Sequence, residues 1–320
     1  MEWMTPITPI QGYGENSFYI KRDDLLPFSF GGNKVRIAQE FFLDMDAQNK
    51  NCMIGYGSAK SNLNRAIANI NSSRESSGEC HIVSPADSNG VQIETSNSFI
   101  VSLCGAHIHL CNKNEVSETV QSVMDMCRAD GKKPYYIYGD QYGHGNEAVP
   151  MRAYIKAFKE IQSQALEKNI EFDYIFHATG TGMTQAGLIA GQMIYGGHEK
   201  IVGISISRNK EFQEQILYSM LETYFSKDKP IDRGTIEVED SFVCGGYGCY
   251  NREIVETIKK TMLINGVPLD STYTGKAFWG MLQYIKKRKI SKKNILFIHT
   301  GGTPLFFDNI CGEKAWNLGC

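Results

Sequence analysis

Tyr174-Ile-Phe-His-Ala-Thr-Gly-Thr-Gly-Met-Thr184 passes from a run rich in β-branched and aromatic residues into a glycine turn. Gln185 to Tyr195 then continues as an apolar helix, and Ile201-Val-Gly-Ile-Ser-Ile206 reads as a second, fully buried strand. Strand, turn, helix and strand in that order make a βαβ unit, whose two strands must be parallel and covered by helices. The same order recurs outward in both directions. Toward the C-terminus a helix over Lys276–Lys287 feeds a strand at Asn294–His299, which ends in Thr300-Gly-Gly-Thr-Pro304. Toward the N-terminus Phe18-Tyr-Ile-Lys21 is strand-like and Arg22–Pro27 is turn-rich. From Asn33 a helical period carries Val35, Ile37, Ala38, Phe41, Phe42 and Met45 at spacings of three and four. Between these ends lie short strands at Asn51–Gly55, Cys80–Ser84, His107–Leu110 and Pro134–Tyr138, with helices over Ser61–Ile70, Val116–Arg128 and Ala148–Leu166. The pattern predicts an α/β protein with open, mostly parallel sheets flanked by helices.

The 320 residues are a prior for about two domains or one large one. An apolar fraction of 42% and a charged fraction of 21% describe a globular chain, not a disordered one. With 33 Lys+Arg against 35 Asp+Glu the net charge is −2, which argues against a dedicated nucleic-acid binder. No apolar run approaches the roughly 18 residues of a membrane helix. The first residues lack the basic and apolar regions of a signal peptide, so a cytoplasmic location is expected. Nine scattered cysteines favour reduced thiols over a disulfide framework. His107 and His109 alternate on one strand face. They read either as metal ligands or as a solvated face, and with no Cys or carboxylate at ligand spacing the expectation is no metal.

Four segments carry candidate chemistry. Gly31-Gly-Asn-Lys34 places a lysine in the first turn of a helix, where the positive helix end and partial burial both disfavour the ammonium. A lysine with an accessible free amine near neutrality can form a Schiff base. Thr179-Gly-Thr-Gly-Met-Thr184 reads either as a phosphate cradle or as a tight strand-to-helix turn. It is not a dinucleotide fingerprint, because Gln185 stands where the third glycine belongs. Thr300 lies at the carboxyl end of a parallel strand, where open α/β sheets bind ligands. Tyr247 and Tyr273 both sit in glycine-containing settings.

An amine, a phosphate cradle and a hydroxyl suited to a ring nitrogen together describe a pyridoxal-phosphate (PLP) site. Gly31-Gly-Asn-Lys-Val-Arg36, Ser61-Asn62 followed by Arg65, the glycine turn, Gly245-Gly-Tyr-Gly248, Tyr273-Thr-Gly-Lys276 and His299-Thr-Gly-Gly302 run in the order of fold-type II PLP enzymes. From about residue 5 to 308 the chain resembles the D-cysteine desulfhydrase / 1-aminocyclopropane-1-carboxylate (ACC) deaminase family. The resemblance implies a large PLP-binding domain from residues 1–48 and 148–320, a small domain from 49–147, and a homodimer. It makes Lys34 the Schiff-base lysine with Asn33 beside it, and Ser61 and Asn62 the contacts to substrate carboxylate and cofactor. It makes Gly180, Thr181, Gly182, Met183 and Thr184 the phosphate loop, Tyr247 and Tyr273 the active-site tyrosines, and Thr300 the partner of the pyridine nitrogen.

The implied chemistry is removal of a Cα proton from a small amino acid by Lys34 or a tyrosine, then β-elimination to a keto acid and ammonia. In the family, ring opening of ACC leans on a carboxylate after the second tyrosine. Thr274 stands there, which favours the desulfhydrase-like branch. ACC deaminase-like ring opening, a β-replacement synthase, a racemase or dehydratase, and a non-catalytic PLP-binding protein are the alternatives. Two departures bear on the substrate. The family's Gln-Ser-Asn-His is Lys60-Ser-Asn-Leu63 here, and a Gly/Ser turn is replaced by Gly139-Asp-Gln-Tyr-Gly-His-Gly145. Lys60, Gln141 and Tyr142 are therefore expected to contact a substrate larger or more polar than D-cysteine.

Overall fold

The computed structural model describes residues 3–75, 78–86, 94–226 and 229–310. In chain order the elements begin with β1 Ile7–Ile10, β2 Ser17–Lys21, α1 Asn33–Ala47, β3 Cys52–Tyr56, α2 Asn62–Ser72, β4 Glu79–Pro85 and α3 Ser96–Leu103. There follow β5 His107–Cys111, α4 Val116–Ala129, β6 Pro134–Tyr136, α5 Met151–Lys168, β7 Tyr174–Thr179, α6 Met183–Tyr195, β8 Lys200–Ser205 and α7 Lys210–Tyr224. The last are β9 Glu237–Glu239, α8 Arg252–Asn265, α9 Thr274–Lys287, β10 Asn294–Ile298 and α10 Thr303–Ile310.

Two compact units result, one from the chain before Lys34 together with the chain from Met151 onward, the other from Lys34–Pro150. The first holds a six-stranded sheet in the order β1-β2-β10-β7-β8-β9, the second a four-stranded sheet in the order β5-β4-β3-β6. Among the named strands, only β1 pairs antiparallel with its neighbour; the rest are parallel.

In the first unit the central strands are buried on both faces, as a parallel sheet between helices requires. Ile175, Phe176, Val202, Ile204, Ile295, Leu296 and Phe297 are fully buried. Each such side chain contributes about 1.5–3 kcal/mol relative to exposure. Helix α6 lies close enough to α5 that a Cβ added at Gly191 would meet Phe158 Cβ at 2.6 Å. Overpacking of that kind costs roughly 1–3 kcal/mol. Gly191→Ala is therefore expected to lower the urea midpoint by that equivalent, and an unchanged midpoint would contradict this packing. In the second unit β3 forms the centre, with Cys52, Met53 and Ile54 buried, and α2 and α4 supply Ala66, Ile67, Val120 and Val123.

Several boundaries differ from the sequence reading for local reasons. Strand β1, outside the sequence reading, contains Pro9 and lies at the sheet edge, where a missing N–H is tolerated. Helix α5 starts at Met151 instead of Ala148, because Pro150 biases Val149 away from helical geometry. Strand β6 stops at Tyr136, where a turn begins with Gly139 N–H donating to the Tyr136 carbonyl. Helices α3, α7, α8 and α10 went unread. Among the described residues six cysteines are free thiols. Among the described residues no helix is long and apolar enough to cross a membrane.

Candidate active site

In the first unit the Gly31-Gly32-Asn33 turn is pressed against the end of β10. Asn33 N–H donates to the Thr300 carbonyl (3.0 Å) and Gly32 N–H to the Asp23 carbonyl (2.7 Å). The two backbones approach so closely that a Cβ on Gly32 would lie 2.8 Å from Thr300 O, and one on Gly301 2.6 Å from Gly32 Cα. Glycine is thus required on both sides of the contact. His299 fixes the strand end from behind, with Nε2 donating to the Pro268 carbonyl (2.7 Å) and Nδ1 accepting from Gly301 N–H (3.2 Å).

The Asn33 amide donates to Thr184 Oγ1 at 3.0 Å, which brings the turn to the glycine loop between β7 and α6. No side chain caps α6, and its N-cap Gly182 is left-handed (φ 92°), so first-turn N–H groups are left for a ligand. Gln213 braces the loop from α7. In the amide orientation that satisfies its partners it donates to Gly180 O (2.9 Å) and accepts from Gly182 N–H (3.3 Å). Thr181 is exposed at the loop tip, while Gly182, Met183 and Thr184 are buried.

Tyr247 and Tyr273 share a 2.6 Å hydrogen bond between hydroxyls. Burial raises both phenol pKa values, Tyr273 well above the usual range, so this pair holds its protons at neutral pH. The turn carrying Tyr273 is built by Asp270, which sequence reading missed. Its carboxylate accepts from the N–H groups of Thr272 (2.9 Å), Tyr273 (2.7 Å) and Thr274 (3.0 Å) and from Thr274 Oγ1 (2.7 Å). It also packs directly on Gly302. The loop carrying Tyr247 is held by Lys276, whose buried ammonium donates to the carbonyls of Ile206 (3.1 Å), Val243 (2.9 Å) and Gly246 (2.7 Å).

In the second unit Lys34 sits in the first turn of α1, partly accessible, and burial pushes its amine down to about 8. Burial pushes Lys276 down to about 8 as well. The two differ in commitment, since the three donors of Lys276 are all taken by carbonyls. Because the folded Lys34 amine binds its proton more weakly than the unfolded one, lowering the pH from above 10.5 to below about 8 destabilises the fold. The same shift sets reactivity. The rate at which this amine captures an added aromatic aldehyde is expected to rise about tenfold per pH unit below 8 and to level off above it. Stopped-flow absorbance at several pH values checks this, and a rate that still climbs between pH 9 and 10.5 would contradict it.

Ser61 is the N-cap of α2, its hydroxyl accepting from Asn64 N–H (3.1 Å) and retaining its own proton for donation. Asn62 Oδ1 accepts from Arg65 (2.7 Å) and Asn97 (3.1 Å), and Asn97 also donates to the Lys60 carbonyl (3.0 Å). Thr95 Oγ1 donates to the Ala59 carbonyl (2.7 Å). The start of α3 thus holds the Lys60–Asn62 segment, a role with no local sequence signal. Leu63 is buried in the core of this unit. In the 139–145 loop Asp140 organises the loop itself, accepting from Tyr142 and His144 N–H (2.9 Å each), which lowers its pKa. Gln141 is half-buried and Tyr142 exposed.

Residues 1–301 match the model of the pyridoxal-phosphate dependent enzymes. The chain belongs to that family. A D-cysteine desulfhydrase of Yersinia pestis is 28% identical, with 94% of this chain and 91% of the relative covered. A Pyrococcus abyssi protein provisionally named a 1-aminocyclopropane-1-carboxylate deaminase is 29% identical, covering 99% of this chain and 94% of its own. Among solved structures, an ACC deaminase homologue is similar with a TM-score of 0.81 at 27% identity, covering 94% of this chain and 90% of that one.

The residues fit the family's cofactor on their own chemistry. An uncapped helix start suits a phosphate. The partly accessible Lys34 amine, with its lowered pKa, suits a carbonyl carbon. Thr300, buried at a strand end, offers a hydroxyl suited to a ring nitrogen.

Proposed function

We propose that this PLP-dependent enzyme is a lyase of the D-cysteine desulfhydrase type. It would remove the Cα proton of a small β-substituted amino acid and expel the β-substituent, giving a keto acid and ammonia. In this reading Lys34 anchors the cofactor, and Gly180, Thr181, Gly182, Met183 and Thr184 hold its phosphate. Asn33 and Asn62 steady it, and Thr300 faces its ring nitrogen. When bound, PLP supplies an electron sink that lets the Cα–H bond break. Lys34 Nζ, uncharged in part near neutral pH, is the base for that proton. Ser61 Oγ, fixed as a helix cap, donates to the substrate carboxylate. Tyr273 Oη and Tyr247 Oη, protonated and hydrogen-bonded to each other, hold the proton that the departing group needs. Thr300 is a neutral donor or acceptor, so it leaves the ring nitrogen without the fixed proton that a carboxylate would enforce. Lys60, Gln141 and Tyr142 adjust the site to a substrate larger or more polar than D-cysteine. The same reading makes the protein a cytoplasmic homodimer.

One observation favours elimination over ring opening. Thr274 follows Tyr273, and its hydroxyl is bonded to Asp270, whose carboxylate already accepts four hydrogen bonds. No carboxylate there is left to act as a base. Incubation with D-cysteine, β-chloro-D-alanine, larger D- and L-β-substituted amino acids and ACC tests the reading. Keto acid and ammonia are expected from β-substituted substrates. Turnover of ACC alone would overturn it, and capture of added sulfide into a new amino acid would move the protein to the β-replacement class.

A further inference from the structure

Three thiol and imidazole side chains converge inside the second unit, outside everything assigned above. Cys52 comes from β3, His81 from β4 and Cys127 from the last turn of α4. One ligand atom from each lies within 4.8 Å of the other two, the sole such buried group among the described residues. The three are 0%, 2% and 0% exposed. We propose that Cys52, Cys127 and His81 bind a single zinc-class cation that pins α4 to the β3–β4 pair.

The sheet register makes the convergence a property of the fold. Cys52 is level with Glu79 across β3–β4, and His81 with His107 across β4–β5. Strand alternation puts Cys52, Glu79, His81, His107 and His109 on one face, onto which Cys127 projects. The Sγ atoms of Cys52 and Cys127 are 3.0 Å apart. Two sulfurs on one tetrahedral zinc stand about 3.8 Å apart, a spacing that a small side-chain rotation supplies.

Both ring nitrogens of His81 are met. Nδ1 lies 2.9 Å from His109 Nε2, and Nε2 lies 3.2 Å from Glu79 Oε2. Neither His109 nor Glu79 joins the convergent group, so the cluster supplies three protein ligands. The groups beside the ring orient it, as second-shell partners of metal-bound histidines do. Glu79 is itself paired with Lys132.

Charge closes as well. On binding, two S–H bonds break, two metal–sulfur bonds form and two protons leave to solvent. Two thiolates and a dication sum to zero with His81 neutral.

The test uses the full-length holoprotein, reduced and freed of metal by a chelator, then equilibrated with zinc or cobalt(II) alone. One zinc per chain by elemental analysis is expected, with a higher thermal midpoint and, for cobalt, the red d–d absorption of tetrahedral thiolate coordination. Cys127→Ser should lose all three signatures while keeping the visible absorbance of its PLP, which reports that the chain is folded. His107→Ala, an exposed neighbour, should keep them. Absence of zinc uptake by the reduced wild type would overturn the site. Equal uptake by Cys127→Ser would overturn it too, as would a Cys52–Cys127 disulfide that takes up no metal once reduced.

Discussion

Lys34→Ala is expected to reduce turnover of any productive substrate by a factor of at least about a thousand, because it removes the amine proposed both to anchor the cofactor and to take the Cα proton. The variant should also lose the visible absorbance of the resting holoenzyme. The rest of the fold should survive, since Lys34 is partly accessible at the start of α1 and its neighbour Asn33 keeps its bonds to Thr300 and Thr184. Circular dichroism and the thermal midpoint check that point. Lys276→Ala is the instructive comparison. Its amine is equally depressed, yet it binds three carbonyls, so its removal should loosen the Tyr247 loop and lower stability without abolishing cofactor attachment. Wild-type turnover by Lys34→Ala, with activity lost only in Lys276→Ala, would reverse the assignment.

Tyr273→Phe should lower kcat by roughly a hundredfold or more while leaving PLP content unchanged, since it deletes one hydroxyl of the 2.6 Å pair and no packing volume. Tyr247→Phe, at the more exposed end of the pair, should cost less. Asp270→Asn separates positioning from chemistry. It keeps the shape of the turn but replaces an acceptor of four hydrogen bonds with a weaker one, so both stability and kcat should fall together. The diagnostic is conservative rescue: Asp270→Glu should recover part of the stability if the residue acts through the turn. If Tyr273→Phe retained full kcat, the tyrosine pair would have no part in proton handling.

The elements read most readily from sequence were those whose signal is local. The β7–α6–β8 unit announces itself by an apolar run, a glycine turn and a second apolar run. Lys34 and Thr300 sit at the ends of such elements, where position alone implies chemistry. What stayed illegible depends on partners far along the chain. Gln213 braces the glycine loop from α7, Asn97 holds Lys60 and Asn62 from 35 or more residues away, and Asp270 acts through backbone N–H groups. None has a spacing rule. Asp140 illustrates the converse: in sequence it is one more polar residue of a substrate-facing loop, whereas its carboxylate is committed to the loop's own backbone. The histidines of β5 were read as an isolated pair because Cys52 and Cys127, 75 residues apart, meet only in three dimensions.

The central claim is that the Lys34 amine is where PLP attaches. Borohydride reduction of the holoprotein followed by peptide mass spectrometry tests it in one step. A pyridoxyl-phosphate mass on the peptide containing Lys34, at one per chain, is the result expected; the same mass on Lys276 or any other lysine, or no modified peptide from protein incubated with PLP, would contradict it.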